Sequence, residues 1–189
     1  MSLPSVATCR PGCKCASKCY ARKLERIRKN VRNAYKRNLT ILKTEPDVYW
    51  REVEGKIMMS TFFRYHVSGD IPDMDYLMHM VQIAERNKHC NCLCFTKKYE
   101  MINSYLSKLQ ENGSDPVFPA NLHIIMSGWK GIKMDNPFHL PEAHVLYRDG
   151  TTTASPEAKE CSGNCTHCAI TDSGCWTLKR GEQIVFKEH

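Results

Sequence analysis

Eight of the eleven cysteines in this 189-residue chain stand in two tight groups, one towards each end. The first is Cys9-x3-Cys13-x-Cys15-x3-Cys19 and the second is Cys161-x3-Cys165-x2-Cys168-x6-Cys175. Four thiols within about fifteen residues form the pattern of a metal-binding loop, and an odd cysteine total does not suit a closed disulfide framework. The fold therefore has to bring each end of the chain to a place where four sulfurs can converge.

Between the groups the composition is that of an ordinary domain, with 42% hydrophobic residues, enough for a real core. We read residues 1–189 as a single domain: an N-terminal cysteine segment over 1–20, a β/α core over 21–150, and a second cysteine segment with a last strand over 151–189. Met-Ser-Leu-Pro-Ser-Val has neither a basic nor an apolar leader region. No run approaches the ~18 apolar residues of a membrane span, so a cytoplasmic protein without membrane contact is expected. The net charge is +7. Two all-thiolate [4Fe-4S] clusters would lower it to about +3, so part of the basic balance offsets cluster charge and part is open to an acidic partner. The chain has no GxGxxG after a strand, no P-loop, no HExxH and no GxSxG, which removes the activities those signatures carry.

Helical spacing of Leu24, Ile27, Val31, Ala34, Tyr35 and Leu42 predicts one helix over 20–43. Its opposite face is rich in Arg and Lys against the single acid Glu25. It reads either as a solvated face offsetting cluster charge or as a phosphate-binding face for nucleic acid. Pro46 opens a helix to about residue 60. A strand over 62–67 then runs into the turn Ser68-Gly69-Asp70. Helices over 73–87 and 98–112 alternate with strands over 91–96, 122–126, 144–147 and 184–186. Strand–helix–strand repetition predicts right-handed βαβ units and a parallel sheet. There are too few units for an eight-fold barrel, so the expected fold class is α/β, an incomplete (half to three-quarter) parallel β/α barrel with cysteine-rich ends.

Thiolates are soft ligands that suit iron-sulfur clusters and zinc. Zinc ribbons favour two C-x2-C hairpins well apart, which this chain lacks, whereas each of its groups offers four cysteines in one loop. Cys161-x3-Cys165-x2-Cys168 is also the spacing of the three-cysteine site in radical S-adenosylmethionine enzymes, although it lies here at the other end of the chain and Cys175 is available as a fourth ligand. In the first group Cys9, Cys15 and Cys19 could leave one iron open, or Cys13 could close it. Cys90, Cys92 and Cys94 alternate on a strand and share one face, the usual placing of free cysteine in a core. The other reading makes Cys90 or Cys94, at a strand end, an extra ligand or redox thiol for a nearby cluster.

The chain resembles the phage "gene product 88" family. The resemblance rests on Cys9 through Cys19-Tyr20-Ala21, on Arg64-Tyr65-His66-Val67-Ser68-Gly69-Asp70, and on Phe95-Thr96-Lys97. It continues from Cys161 through Cys175-Trp176 to the last strand ending in His189. It implies an iron-sulfur protein of truncated, radical-SAM-like architecture and supplies no reaction.

Parallel α/β folds place their chemistry at strand C-termini. There, His66, Ser68 and Asp70 are the candidate catalytic residues, and Ser127 and Gly128 the candidate cofactor-binding pair. Their plain alternative is structural, with Ser68 or Asp70 capping a helix and His66 packed inside. His123 and His144 read as satisfied core histidines, and Trp129 and Trp176 as shields near a turn or cluster. Two main functions follow. One is a minimal radical-SAM-like enzyme with an open first cluster, an electron-relay second cluster, S-adenosylmethionine as co-substrate and an electron-donor protein as partner. The other is a non-catalytic redox or sensing iron-sulfur protein that meets nucleic acid or a protein through the basic helix. A zinc-bound nucleic-acid module is the weaker third.

Overall fold

The computed structural model describes every residue except Arg10, Pro11 and His189, together with all side chains there but that of Val6. The end of the last strand's motif, His189, thus lies outside the described residues.

Six parallel strands form one sheet in the order β1-β2-β3-β4-β6-β5. They are β1 (Phe62–Arg64), β2 (Asn91–Thr96), β3 (Leu122–Ser127), β4 (Glu142–Leu146), β5 (Lys159–Glu160) and β6 (Gln183–Lys187). The sheet is curled into half a barrel. β2 and β3 are buried along most of their length, as strands covered on both faces must be.

The helices are α1 (Ser5–Thr8), α2 (Tyr20–Ile27), α3 (Lys29–Thr44), α4 (Pro46–Met58), α5 (Met74–Arg86), α6 (Tyr99–Glu111) and α7 (Cys165–Ile170). Pro46 starts α4, where its missing N–H costs nothing. The Asp73 carboxylate accepts the Tyr76 N–H at 2.9 Å and caps α5. The single helix expected over 20–43 is two helices. Arg28 leaves helical geometry at φ −106°, ψ 94°, and α2 and α3 pack on each other while α3 also packs on α4. No Gly or Pro marks this break. Ile27 is left 62% exposed, so the apolar stripe is not continuous in space. The strand expected over 62–67 ends at Arg64, because His66 takes φ +51° and turns the chain away from the sheet.

Alternation along the strands sorts the core into two layers. Cys90, Cys92, Cys94, Ile124 and Met126 face the helices, packed with Tyr49, Leu77, Met80, Ile102 and Leu106. All three cysteines are buried there. Leu93, Ile125, Ala143 and Ile184 face the inside of the curl. That inner face is covered by the segment between β5 and β6, and handedness explains why. The chain steps from β1 to β4 in one direction across the sheet with its helices outside, whereas β5 to β6 steps back. A right-handed crossover in the reverse direction must lie on the opposite face. The second cysteine group is thereby delivered onto the inner surface, with Trp176, Leu178, Cys161, Cys168 and Cys175 packed against it.

Candidate functional site

The loop after β1 and the segment before the first cysteine group are built as one unit. The Leu3 N–H donates to the Ser68 carbonyl at 3.0 Å, and the Asp70 N–H donates to Thr8 Oγ1 at 3.0 Å. Glu25 on α2 accepts both the Ser5 N–H (3.0 Å) and the Ser68 hydroxyl (2.8 Å) through the same Oε1. The Tyr20 hydroxyl donates to the Val67 carbonyl. These bonds fix Cys9 and Cys19, which flank the first loop, over the C-terminal ends of β1 and β2.

The four sulfurs of the first group lie within electrostatic reach of one another there. The Cys9 thiol is pushed up to about 12, chiefly by burial, then by the Asp70 carboxylate and by Cys19, Cys15 and Cys13. The Cys15 thiol also rises to about 12, through burial and its contact with Cys13, while Lys97 pulls it back. The Cys13 and Cys15 sulfurs are 2.7 Å apart.

The second loop gathers Cys161, Cys165, Cys168 and Cys175. Burial, then Cys161 and Cys165, push the Cys175 thiol up to about 12, with Arg64 opposing. Cys161 is raised by burial and lowered by the Gly163 N–H, which donates to its sulfur at 3.4 Å. Ser162 Oγ lies 3.2 Å from the Cys168 sulfur. Gly174 sits at φ +60°, and a Cβ there would stand 3.0 Å from that sulfur, so the loop closes tightly around it. Arg64, on the inner face at the end of β1, donates to the Cys165 sulfur at 3.5 Å and lies 5.0 Å over the Phe95 ring. The buried Trp176 meets Phe62 edge-on at 5.4 Å.

Both donor sets are sulfur alone and half-buried apart from the exposed Cys165, and the second is supplied with N–H, hydroxyl and guanidinium donors of the kind that thiolate ligands accept. Their chemistry fits a soft, sulfur-bound group. Among the described residues no three His, Cys, Asp or Glu side chains stand pre-assembled around one ion. Burial holds the protons on the Cys9, Cys15 and Cys175 thiols, and a bound cation would have to draw them off.

The remaining candidates are placed as follows. Asp70 is buried, with Oδ1 accepting the Thr96 hydroxyl (2.6 Å) and the Ile71 N–H (2.8 Å), and Oδ2 the Lys97 N–H (2.9 Å). Its acidity is weakened by burial, against which those three bonds work. Ser68 is committed to Glu25. His66 is fully buried among Tyr65 and Tyr76, with neither ring nitrogen hydrogen-bonded, and burial lowers it to about 3. Ser127 accepts the Lys97 ammonium at 2.7 Å on its hydroxyl. Gly128 lies against His144, where a Cβ would meet Nδ1 at 2.9 Å. His144 is satisfied on both nitrogens, by Thr153 (2.8 Å) and Glu142 (2.9 Å). His123 is half-buried on the inner face and lowered by burial, with Asp172 opposing.

Arg64, Glu25 and Lys97 carry more of this site than their sequence positions suggest. Arg64 was legible only through alternation, which puts it on the face of Phe62. Glu25 was legible as the lone acid of a basic helix.

The gene product 88 family model matches residues 1–181. The chain belongs to the gene product 88 family. No curated protein and no solved structure matches it. As a member of this family it carries both cysteine groups within the matched span. Among the described residues no helix is long and apolar enough to cross a membrane.

Proposed function

We propose that the protein is an iron-sulfur protein carrying two [4Fe-4S] clusters, one on each cysteine loop. The observation that carries this reading is that two sulfur-only loops adjoin one residue. Tyr20, whose hydroxyl is made less acidic mainly by burial, lies within electrostatic reach of Arg64, of Cys19 in the first loop and of Cys165 in the second. Clusters bound there would supply one-electron chemistry. The chain's own residues would tune it. Arg64 donates to Cys165, and Trp176 and Phe62 pack on the side where Cys161, Cys168 and Cys175 meet the sheet. Lys97 opposes negative charge on Cys15.

A second reading, a radical-SAM-like enzyme with an open iron on the first loop, is favoured by the position of that loop over the strand C-termini. In it Asp70 is a positioning residue, since both its oxygens are engaged. The polar group left beside the loop is the Lys97–Ser127 pair.

Iron and sulfide analysis of anaerobically purified protein tests the first reading, with about eight of each per chain expected. Zinc without sulfide overturns it. Electron paramagnetic resonance of the reduced protein separates the two readings. A signal altered by S-adenosylmethionine selects the enzyme, and an unchanged signal selects electron transfer or sensing.

A further inference from the structure

Two cavities lie side by side next to the first cysteine loop and together make a surface groove. The larger, about 610 Å³, is lined by Lys18, Arg22, Lys23, Arg26, Arg32 and Arg148, and reaches Cys19. The smaller, about 430 Å³, is walled by Trp129 and Tyr147 with Lys14 and Lys130 at its margin. Ser17, Lys18, Arg148 and Glu188 line both, so the two share a common wall.

The charges are not mutually cancelled. Glu188 is held by Lys18 and by the Arg148 N–H, Glu25 by Ser5 and Ser68, and Asp149 by Thr151 and Lys130. Among the described residues Arg22, Lys23, Arg26 and Arg32 have no carboxylate at ion-pair distance. The aromatic end is rigid. Trp129 and Tyr147 meet edge-on at 5.6 Å, the Tyr147 hydroxyl accepts the Lys130 N–H at 2.6 Å, and the Lys130 ammonium lies 5.6 Å over the Tyr147 ring.

We propose that this groove binds single-stranded nucleic acid, with phosphates along Arg22, Arg26, Arg32 and Arg148 and a base against Trp129. A cationic track ending on an aromatic wall is what a strand with exposed bases requires, and a duplex hides the faces that such a wall would stack. The length favours a strand over a lone nucleotide, since each cavity alone is already of small-ligand size. The charge comes from both helices of the broken basic segment and from the end of β4. No single helix face supplies it.

Fluorescence anisotropy of the full chain with labelled 12-nucleotide RNA and DNA, single-stranded and duplex, tests this. Four or five phosphate contacts predict a fall in affinity of about 50-fold between 50 and 200 mM salt. R22E/R26E should weaken binding at least tenfold and flatten the salt slope. W129A should weaken it several-fold with the slope unchanged. The substituted arginines are exposed, so circular dichroism should match the parent. Absence of binding at 50 mM salt overturns the proposal. So does equal affinity for duplex with W129A unaffected, which would mean a generic polyanion surface.

Discussion

Asp70 accepts the Thr96 hydroxyl at 2.6 Å, and this bond joins the loop leaving β1 to the end of β2. The same residue takes the Lys97 N–H and gives its own N–H to Thr8. One carboxyl thus links two strand ends, while its backbone anchors the segment that leads into the first cysteine loop. Asp70 holds the platform on which those sulfurs sit.

Asp70→Ala should accordingly cost stability before anything else. It leaves a buried hydroxyl, the buried Ile71 N–H and the half-buried Lys97 N–H without their acceptor, a loss of about 3 kcal/mol. Urea denaturation measures it. A loss under about 1 kcal/mol would show that the clamp is not structural and would return Asp70 to the role of a reacting group.

Gly69 is the companion case. It sits at φ +85°, and a Cβ there would stand 2.6 Å from Thr8 Oγ1 and 2.9 Å from the Leu3 carbonyl oxygen. Gly69→Ala should lower stability by about 1–3 kcal/mol and speed proteolysis within residues 1–9. Thr8 can rotate away but the Leu3 carbonyl cannot, so adding Thr8→Ala should restore only part of the loss. Full rescue by the double variant would contradict the backbone contact.

Period and punctuation made the sheet legible. Short apolar runs at β2 and β3, separated by helices with clear faces, admitted little but a parallel half-barrel. Three things were not legible, each because tertiary contact decides it. The break at Arg28 follows from α2 and α3 packing on each other, with no Gly or Pro to announce it. The early end of β1 comes from His66 at positive φ, a conformation that its residue type does not demand. The inner position of the second cysteine loop depends on β6 lying between β4 and β5, and a two-residue edge strand such as β5 leaves no periodic trace. Within the site, the cysteine groupings were plain from spacing. The roles of Ser68 and Asp70 were not, because their partners Glu25 and Thr96 lie 43 and 26 residues away.

His66 gives a pH prediction with a definite sign. Its ring titrates near 6.5 when the chain is unfolded and, through burial, near 3 when folded. Between those values the unfolded state holds the extra proton, so stability rises with pH by about 1.4 kcal/mol per unit. This contribution is complete above pH 6.5 and drains away as pH falls towards 3. His66→Asn, which tolerates the left-handed backbone, should remove this part of the slope in urea titrations across pH 4–6. An unchanged slope would mean that water reaches the ring in the folded state.

Arg64 offers the sharpest test of the second loop. Its guanidinium donates to the Cys165 sulfur and stacks over Phe95, so both its charge and its place are held. A hydrogen bond and a cation beside a thiolate ligand favour the reduced, more negative state of a cluster, so losing both should lower the potential. Arg64→Met removes the head, with its hydrogen bond and its place over Phe95, and keeps an apolar stem of similar length. With a cluster on each loop, as proposed, iron content should remain at the parent value, while the potential of one of two redox transitions falls by some tens of millivolts in a mediated titration. The other transition, assigned to the first loop beside Lys97, should not move. A shift in both would mean that Arg64 acts through the space between the loops, and no shift in either would leave its contact with Cys165 a matter of packing alone.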